Sequence, residues 1–113
     1  MTPHPSSPTT LYLAGPMSGL PDFNYPAFHE AAAKLRAAGY TVLNPAENPK
    51  PEPETWQGYM RLAIAQLIQA DGIALLPGWE VSRGAMVEYT LAVDLELDNK
   101  LASDWLHHAK LVA

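Results

Sequence analysis

The sequence predicts a small α/β domain of three layers, in which a parallel sheet of four or five strands carries helices on both faces. Short apolar runs at residues 10–14, 40–43 and 71–76 have the length of strands. Longer segments with apolar residues at helical spacing alternate with these runs. Strand and helix therefore alternate three times, and such an order favours parallel pairing through helical crossovers, as in Rossmann-like and flavodoxin-like folds.

The length and composition indicate one globular domain. The chain has 113 residues, of which 48% are hydrophobic and 17% are charged, and these proportions are typical of a folded protein. Residues 1–9 hold three prolines besides Ser and Thr, so we expect a flexible tail there. The predicted domain comprises residues 10–113.

Several classes of function are disfavoured. The net charge is −5 and no basic run exists, which argues against binding long nucleic acid. The absence of cysteine excludes disulfides, thiolate catalysis and Cys-ligated zinc. His107 and His108 are adjacent and cannot face one ligand together, so we expect no metal and no cofactor. No apolar stretch has the length of a membrane span. We expect no signal peptide, and a cytoplasmic location is the default expectation.

The first strand, Thr10–Ala14, is followed by a long loop. Gly15 and Pro16 stop the strand, and further Gly and Pro residues interrupt the loop from Met17 onward. Open α/β sheets bind ligands at the carboxyl ends of their strands. Gly15 either lets the backbone approach a substrate or is a plain turn glycine. The ring of Tyr12 points either into the core or into the site.

The next elements follow from their boundary residues. Asn24 is a good N-cap with Pro26 in the first helical turn, and Gly39 supplies the end of that helix. The second strand is followed by a proline-rich irregular loop over residues 46–54. Thr55 caps a second helix that extends to about residue 70. Its apolar stripe is most simply core, and comprises Trp56, Tyr59, Met60, Ala63, Ile64, Leu67 and Ile68.

The third strand leads into a helix that Ser82 can cap. Glu88 lies six residues after this cap, roughly 9 Å along the helix axis, and its side chain leans back toward the N-terminus. Because helix N-termini favour anions, we expect Glu88 to be ionised and a phosphate to sit near Ser82. The simpler interpretation is that Glu88 is a solvated acid and Ser82 only a cap.

The carboxyl-terminal part contributes a further strand and helix. The third helix is predicted to reach about Leu97, and Asp98-Asn99-Lys100 has the composition of a turn. A short edge strand near Leu101 and a terminal helix follow. An exposed Trp79 or Trp105 would favour a homodimer or a higher homo-oligomer.

Three motifs carry a family resemblance. They are LYLAGPMSGLPDFNYPAF, LNPAE and DGIALLPGWEVSRGAMVEY, one at each of the first three strands. Together they resemble the nucleoside 2-deoxyribosyltransferase-like superfamily, and most closely its small branch known as DUF4406, over roughly residues 11–93. This resemblance implies cleavage or transfer at the N-glycosidic bond of a nucleoside or nucleotide, with Glu88 as the covalent nucleophile.

The resemblance also implies the substrate-binding residues. A serine six positions before the nucleophile, here Ser82, contacts the 5′-phosphate in similar nucleotide N-glycosidases. Tyr12 and Gly15 match residues that line the sugar site. The full predicted binding set is Tyr12, Gly15, Pro16, Met17, Trp79, Ser82, Arg83 and Gly84.

Two positions depart from the family pattern. Ala63 stands where active relatives carry an aspartate that assists the leaving base, and Ser18 stands where nucleotide enzymes tend to have an arginine. Arg83 is then the alternative cation. The acid could come instead from Asp22, His29, Glu47 or Glu80. General acid help is worth about 10²–10⁴ in rate, so its loss would slow turnover.

Three functions remain open at this stage. The first is an N-glycosidase or 2-deoxyribosyltransferase that acts on a small-molecule nucleotide or nucleoside. The second is a nucleotide-binding sensor or sequestering module that has lost the catalytic activity. A small structural dimer is the third possibility.

Overall fold

The computed structural model describes residues 9–112. The predicted flexible tail therefore lies, apart from Thr9, outside the described residues. The strands are β1 (Thr10–Ala14), β2 (Thr41–Leu43), β3 (Gly72–Leu75) and β4 (Asp98–Leu101). The helices are α1 (Tyr25–Ala37), α2 (Trp56–Leu67), α3 (Arg83–Asp94) and α4 (Ala102–Val112). None of the helices in this described part has the length and apolar character needed to cross a bilayer.

The four strands form one parallel sheet in the order β2-β1-β3-β4. This arrangement confirms the predicted small α/β domain of the flavodoxin-like or Rossmann-like kind. The central strands β1 and β3 are buried on both faces, which is why they consist of continuous apolar runs. Asp71 precedes β3, and its carboxylate accepts a hydrogen bond from the backbone N–H of Thr10 at 2.8 Å, so it fixes the start of both central strands.

Alternating side chains of β1 divide the core into two halves. Leu11 and Leu13 pack with α1 and α4 on one face of the sheet. Tyr12 and Ala14 pack with α2 and α3 on the other face. Since successive residues of a strand point to opposite faces, this alternation explains why Tyr12 lies on the face that carries α3.

The predicted helix boundaries are largely confirmed. The hydroxyl of Thr55 accepts a hydrogen bond from the N–H of Gly58 at 3.0 Å, and that of Ser82 accepts one from the N–H of Ala85 at 3.2 Å. Gly39 follows α1 with a φ of 103°, the left-handed conformation that ends helices. Asn24 precedes α1 as predicted, but its side chain does not cap the helix. It donates instead to the carbonyl of Pro16 at 3.0 Å and so ties the first loop together.

The carboxyl-terminal prediction was wrong in one respect. Residues 98–100 form the edge strand β4 rather than a turn, because backbone pairing with β3 does not require apolar side chains. The chain reverses earlier: α3 ends at Asp94, and Glu96 takes a positive φ of 59°.

Trp105 is a core residue of this domain. It is only 3% exposed, and its indole Nε1 donates to the carbonyl of Ile73 at 2.9 Å. Trp79 is only partly exposed and packs against the core half beside α2 and α3. The tryptophans therefore do not supply the exposed apolar surface from which a homo-oligomer was predicted, and that prediction has no support from these two residues.

Candidate active site

The side chain of Glu88 is held at the carboxyl edge of the sheet by α3. Ser82 caps this helix, as predicted, and the small residues Gly84 and Ala85 occupy its first turn. Glu88 lies on the face directed at the sheet and is 5% exposed. The hydroxyl of Tyr12, on β1, donates a hydrogen bond to its Oε2. The structure therefore joins two predicted site residues that are 76 positions apart.

Burial changes the protonation of Glu88. Removal from water raises its pKa to about 7, although the hydrogen bond from Tyr12 acts in the opposite direction. This shift opposes the predicted ionisation of Glu88. The helix dipole acts mainly within the first turn, and Glu88 lies beyond it. Burial and the adjacent carboxyl group also raise the pKa of Tyr12 well above its usual value. Tyr12 therefore remains a neutral phenol that donates a hydrogen bond to Glu88.

The second oxygen of this carboxylate remains available. Among the hydrogen bonds of residues 9–112, Glu88 Oε2 receives one from Tyr12 and Oε1 receives none. Fully buried side-chain oxygens of the described residues all have partners, so Oε1 is not sealed in the core. Glu88 lines a cavity, and Oε1 is the carboxylate oxygen that has no hydrogen-bond partner among the described residues.

The cavity has a volume of about 400 Å³, which suits a small molecule. Its walls come from the end of β1 and the loop after it, the first turn of α1, the loop before α2, and the first two turns of α2 and α3. Six aromatic residues line it: Tyr12, Phe23, Tyr25, Phe28, Trp56 and Tyr59. Its polar lining, apart from these tyrosines, comprises Ser18, Asn48, Glu54, Thr55, Ser82 and Glu88. The lining residues among those described include no lysine, arginine or histidine.

The structure brings six of the nine predicted site residues to this cavity. They are Tyr12, Gly15, Met17, Ser82, Gly84 and Glu88. The other three lie beside the cavity without lining it. The ring of Pro16 lies against Gly78, Trp79 stacks on Tyr89 with centroids 4.6 Å apart, and Arg83 covers Trp56 at 3.8 Å from the ring centroid. Arg83 is thus occupied by an aromatic ring rather than directed at a ligand.

Two glycines at the site have different roles. A Cβ on Gly15 would lie 2.8 Å from the Cβ of Leu76, so this position must be small to let the loop pass the end of β3. A Cβ on Gly84 would lie 3.2 Å from the sulfur of Met60, so Gly84 allows α3 to approach α2. At both positions the small residue makes room for another part of this chain, and the nearest neighbours are Leu76 and Met60.

The apolar stripe of α2 was interpreted too simply. Ala63 and Leu67 are buried, as expected for core residues. Trp56, Tyr59 and Met60, together with Ala63, line the cavity, and Ile68 is 58% exposed. Helical spacing shows which residues share a face, but the same pattern arises whether that face meets a core or a cavity.

The sequence interpretation missed the aromatic wall and Glu54. Tyr59 donates a hydrogen bond from its hydroxyl to Oε1 of Glu54 at 2.8 Å, and both residues line the cavity. Glu54 directly precedes the cap residue Thr55. Its position just before a helix that begins at the carboxyl edge of the sheet could have indicated that Glu54 lies at the site.

The four suggested replacement acids lie elsewhere. Asp22, His29, Glu47 and Glu80 are absent from the cavity lining as described. Glu47 pairs with Arg36 at 2.8 Å, which lowers the pKa of its carboxyl group, chiefly through the hydrogen bond from that guanidinium. The Nδ1 atom of His29 lies 3.3 Å from the side-chain nitrogen of Asn44. Residue 63, which lines the same cavity as Glu88, carries only a methyl group.

The chain matches a described protein family. The family described as "Domain of unknown function (DUF4406)" matches residues 9–99, a span that includes β1, both loops of the cavity, α2 and α3. No curated protein is significantly similar to the chain.

Proposed function

The chain belongs to the DUF4406 family, and we propose that it cleaves or transfers the N-glycosidic bond of a deoxynucleoside or its 5′-monophosphate, with Glu88 as covalent nucleophile. The observation that carries this proposal is the buried carboxylate of Glu88, which has one oxygen held by Tyr12 and the other available in a cavity of about 400 Å³. A solvated helix acid would show neither feature.

The proposed chemistry has two steps. Oε1 of ionised Glu88 attacks the anomeric carbon, the bond to the base nitrogen breaks with its electron pair, and the departing base takes a proton from solvent water. Water, or the nitrogen of a second base, then attacks the same carbon, gives up its proton to solvent and releases the carboxylate. Each step inverts the anomeric centre, so the overall configuration is retained.

The surrounding residues support these steps in specific ways. The hydroxyl of Tyr12 orients the carboxylate and stabilises its charge. The aromatic walls suit a planar base, since stacking on aromatic side chains is favourable for every base. The Ser82 hydroxyl and the free N–H groups at the start of α3 suit a 5′-phosphate, because helix N-termini favour anions.

A non-catalytic nucleotide-binding module is the second candidate, and Ala63 favours it. Residue 63 lines the cavity with a methyl group, so no acid at this position can protonate the leaving base. A protein that binds a nucleotide without releasing its base would act as a sensor or would sequester it.

Product analysis separates these two candidates. We expect free base to appear when the protein is incubated with a panel of deoxynucleosides and their 5′-monophosphates, detected by liquid chromatography. Glu88→Gln should abolish base release and keep the fold, because the amide has the same size and is a poor nucleophile. If a nucleoside or nucleotide raises the Tm of the wild-type protein but no free base is released, the protein is a binding module. Base release that survives in Glu88→Gln disproves the catalytic assignment.

A further inference from the structure

The polar lining of the cavity includes a second carboxylate, that of Glu54. The side chain of Glu54 is 53% exposed, whereas Glu88 is 5% exposed. Glu54 therefore belongs to the open side of the cavity and Glu88 to its deep side. Among the described lining residues there is no cationic side chain. A ligand group that reaches Glu54 must then bring hydrogen-bond donors of its own, because a carboxylate only accepts.

Glu54 is held in place by its own neighbours. The Tyr59 hydroxyl donates to Glu54 Oε1 at 2.8 Å. The Thr55 cap and the bond from the N–H of Tyr59 to the carbonyl of Thr55 at 2.9 Å fix the turn that carries both residues. The ammonium of Lys50 is 3.9 Å from Oε1 and largely exposed, so its contribution is small. No described residue donates to Oε2, which leaves that oxygen to accept from a ligand.

The rest of the α2 wall is apolar or already engaged. Met60, Leu62 and Ala63 line it with hydrocarbon and sulfur, and the hydroxyl of Thr55 is occupied by the Gly58 N–H. The pair formed by Glu54 and Tyr59 is therefore the polar feature of this wall. Aromatic rings line the same cavity, including Trp56 and Tyr25. A planar base that stacks on one of these rings uses its face, so the donors on its edge stay free for a carboxylate.

We propose that Glu54, positioned by Tyr59, is a specificity-determining residue that accepts hydrogen bonds from N–H groups on the edge of the substrate's base. This inference rests on the proposed function, since it assumes that the sugar lies at Glu88. Guanine presents two adjacent donors, a ring N–H and an amino group. They match both carboxylate oxygens, because Oε1 can accept a second hydrogen bond besides that from Tyr59. Adenine and cytosine present one amino group. Thymine flanks its single N–H with two carbonyl oxygens, which a carboxylate repels. The expected order is guanine first and thymine last.

The test compares four deoxynucleosides with matched variants. The substrates are deoxyguanosine, deoxyadenosine, deoxycytidine and thymidine, and the variants are Glu54→Gln and Tyr59→Phe. Glu52→Gln is the control, because Glu52 is exposed in the same loop and does not line the described cavity. We expect the wild-type protein and the control to favour deoxyguanosine over thymidine by about tenfold in kcat/KM, the usual value of a bidentate contact. Glu54→Gln should remove most of this ratio, and Tyr59→Phe part of it.

Binding measurements keep this inference separate from the proposed function. Calorimetry with Glu88→Gln gives the Kd of each deoxynucleoside without turnover, and hence the ratio of Kd between thymidine and deoxyguanosine. The double variant that also carries Glu54→Gln gives this ratio in the absence of the Glu54 carboxylate. If no base is ever released but the Kd ratio depends on Glu54, the selectivity stands and the catalytic proposal fails. If base is released with equal efficiency from all four substrates, catalysis stands and the selectivity is overturned. An equal loss for all four substrates in Glu54→Gln also overturns it, as does the failure of every deoxynucleoside to bind.

Discussion

Glu88 shows how one buried residue links stability to chemistry. Its carboxyl group has a pKa of about 7 in the folded protein against a usual value of 4.5, so folding favours the protonated form. Such a group contributes fully to stability below pH 4.5, loses this contribution as the pH rises to about 7, and changes little above that. The difference in pKa corresponds to roughly 3 kcal/mol.

This linkage predicts the pH dependence of the free energy of unfolding. Relative to Glu88→Gln, which cannot ionise, the wild-type protein should lose roughly 3 kcal/mol between pH 4.5 and 7. Urea denaturation of both proteins across this range measures the difference. A constant difference between the two proteins would contradict the raised pKa of Glu88.

Tyr12 is expected to set the pH at which Glu88 becomes reactive. Its hydrogen bond lowers the pKa of Glu88, so Tyr12→Phe should raise that pKa further and shift the rising limb of base release upward by about one pH unit. The control is Tyr40→Phe, since the Tyr40 hydroxyl bonds the carbonyl of Trp105 on the opposite side of the sheet. Identical pH profiles for the wild-type protein and Tyr12→Phe would remove Tyr12 from the mechanism.

At the scale of the element, α3 combines a cap with a proposed anion site, and substitution of Ser82 separates the two roles. Aspartate and asparagine both cap helices well, whereas Ser82→Ala should cost about 1 kcal/mol of stability. Ser82→Asp should weaken binding of 5′-monophosphates more than that of nucleosides through charge repulsion, while the neutral Ser82→Asn should not discriminate. Thermal-shift titrations measure both ligand classes. Equal weakening of the two classes by Ser82→Asp would exclude a phosphate at this helix end.

The elements also show what sequence patterns can predict. The helix boundaries at Gly39, Thr55 and Ser82 follow from local hydrogen bonding, which depends on few residues and is therefore legible in sequence. The position of Trp56 and Tyr59 in the cavity wall could not be predicted in this way. Helical periodicity shows which residues share a face of α2, but it does not show whether that face meets the core or a cavity. The protonation of Glu88 was also beyond the sequence, since it depends on burial by residues distant in the chain.

At the scale of the whole molecule, α4 is an integral part of the core rather than an appended tail. Trp105 fills the half of the core that also contains α1, and its ring packs edge-on to Tyr40 with centroids 5.7 Å apart. The short, polar segment that forms β4 gave little indication of this role. Its pairing with β3 places α4 over the sheet.

Trp105→Phe is therefore expected to destabilise the whole domain. The substitution removes the donor to the carbonyl of Ile73 and leaves unfilled volume, which together should cost about 2 kcal/mol or more. Trp79→Phe is the control, because Trp79 is only partly buried at the margin of the core and its ring lies against that of Tyr89. Urea denaturation followed by circular dichroism gives both values. Equal stability of the two variants would show that α4 contributes little to the fold.

The polar edge strand β4 has a consequence for the behaviour of the protein at high concentration. Open sheet margins invite neighbouring chains to add strands and begin fibrils, and short charged margins resist this. One margin of this sheet is the three-residue β2, and the other carries Asp98 and Lys100. Within residues 9–112 both margins of the sheet are therefore short or charged, and such margins disfavour edge-to-edge pairing between copies.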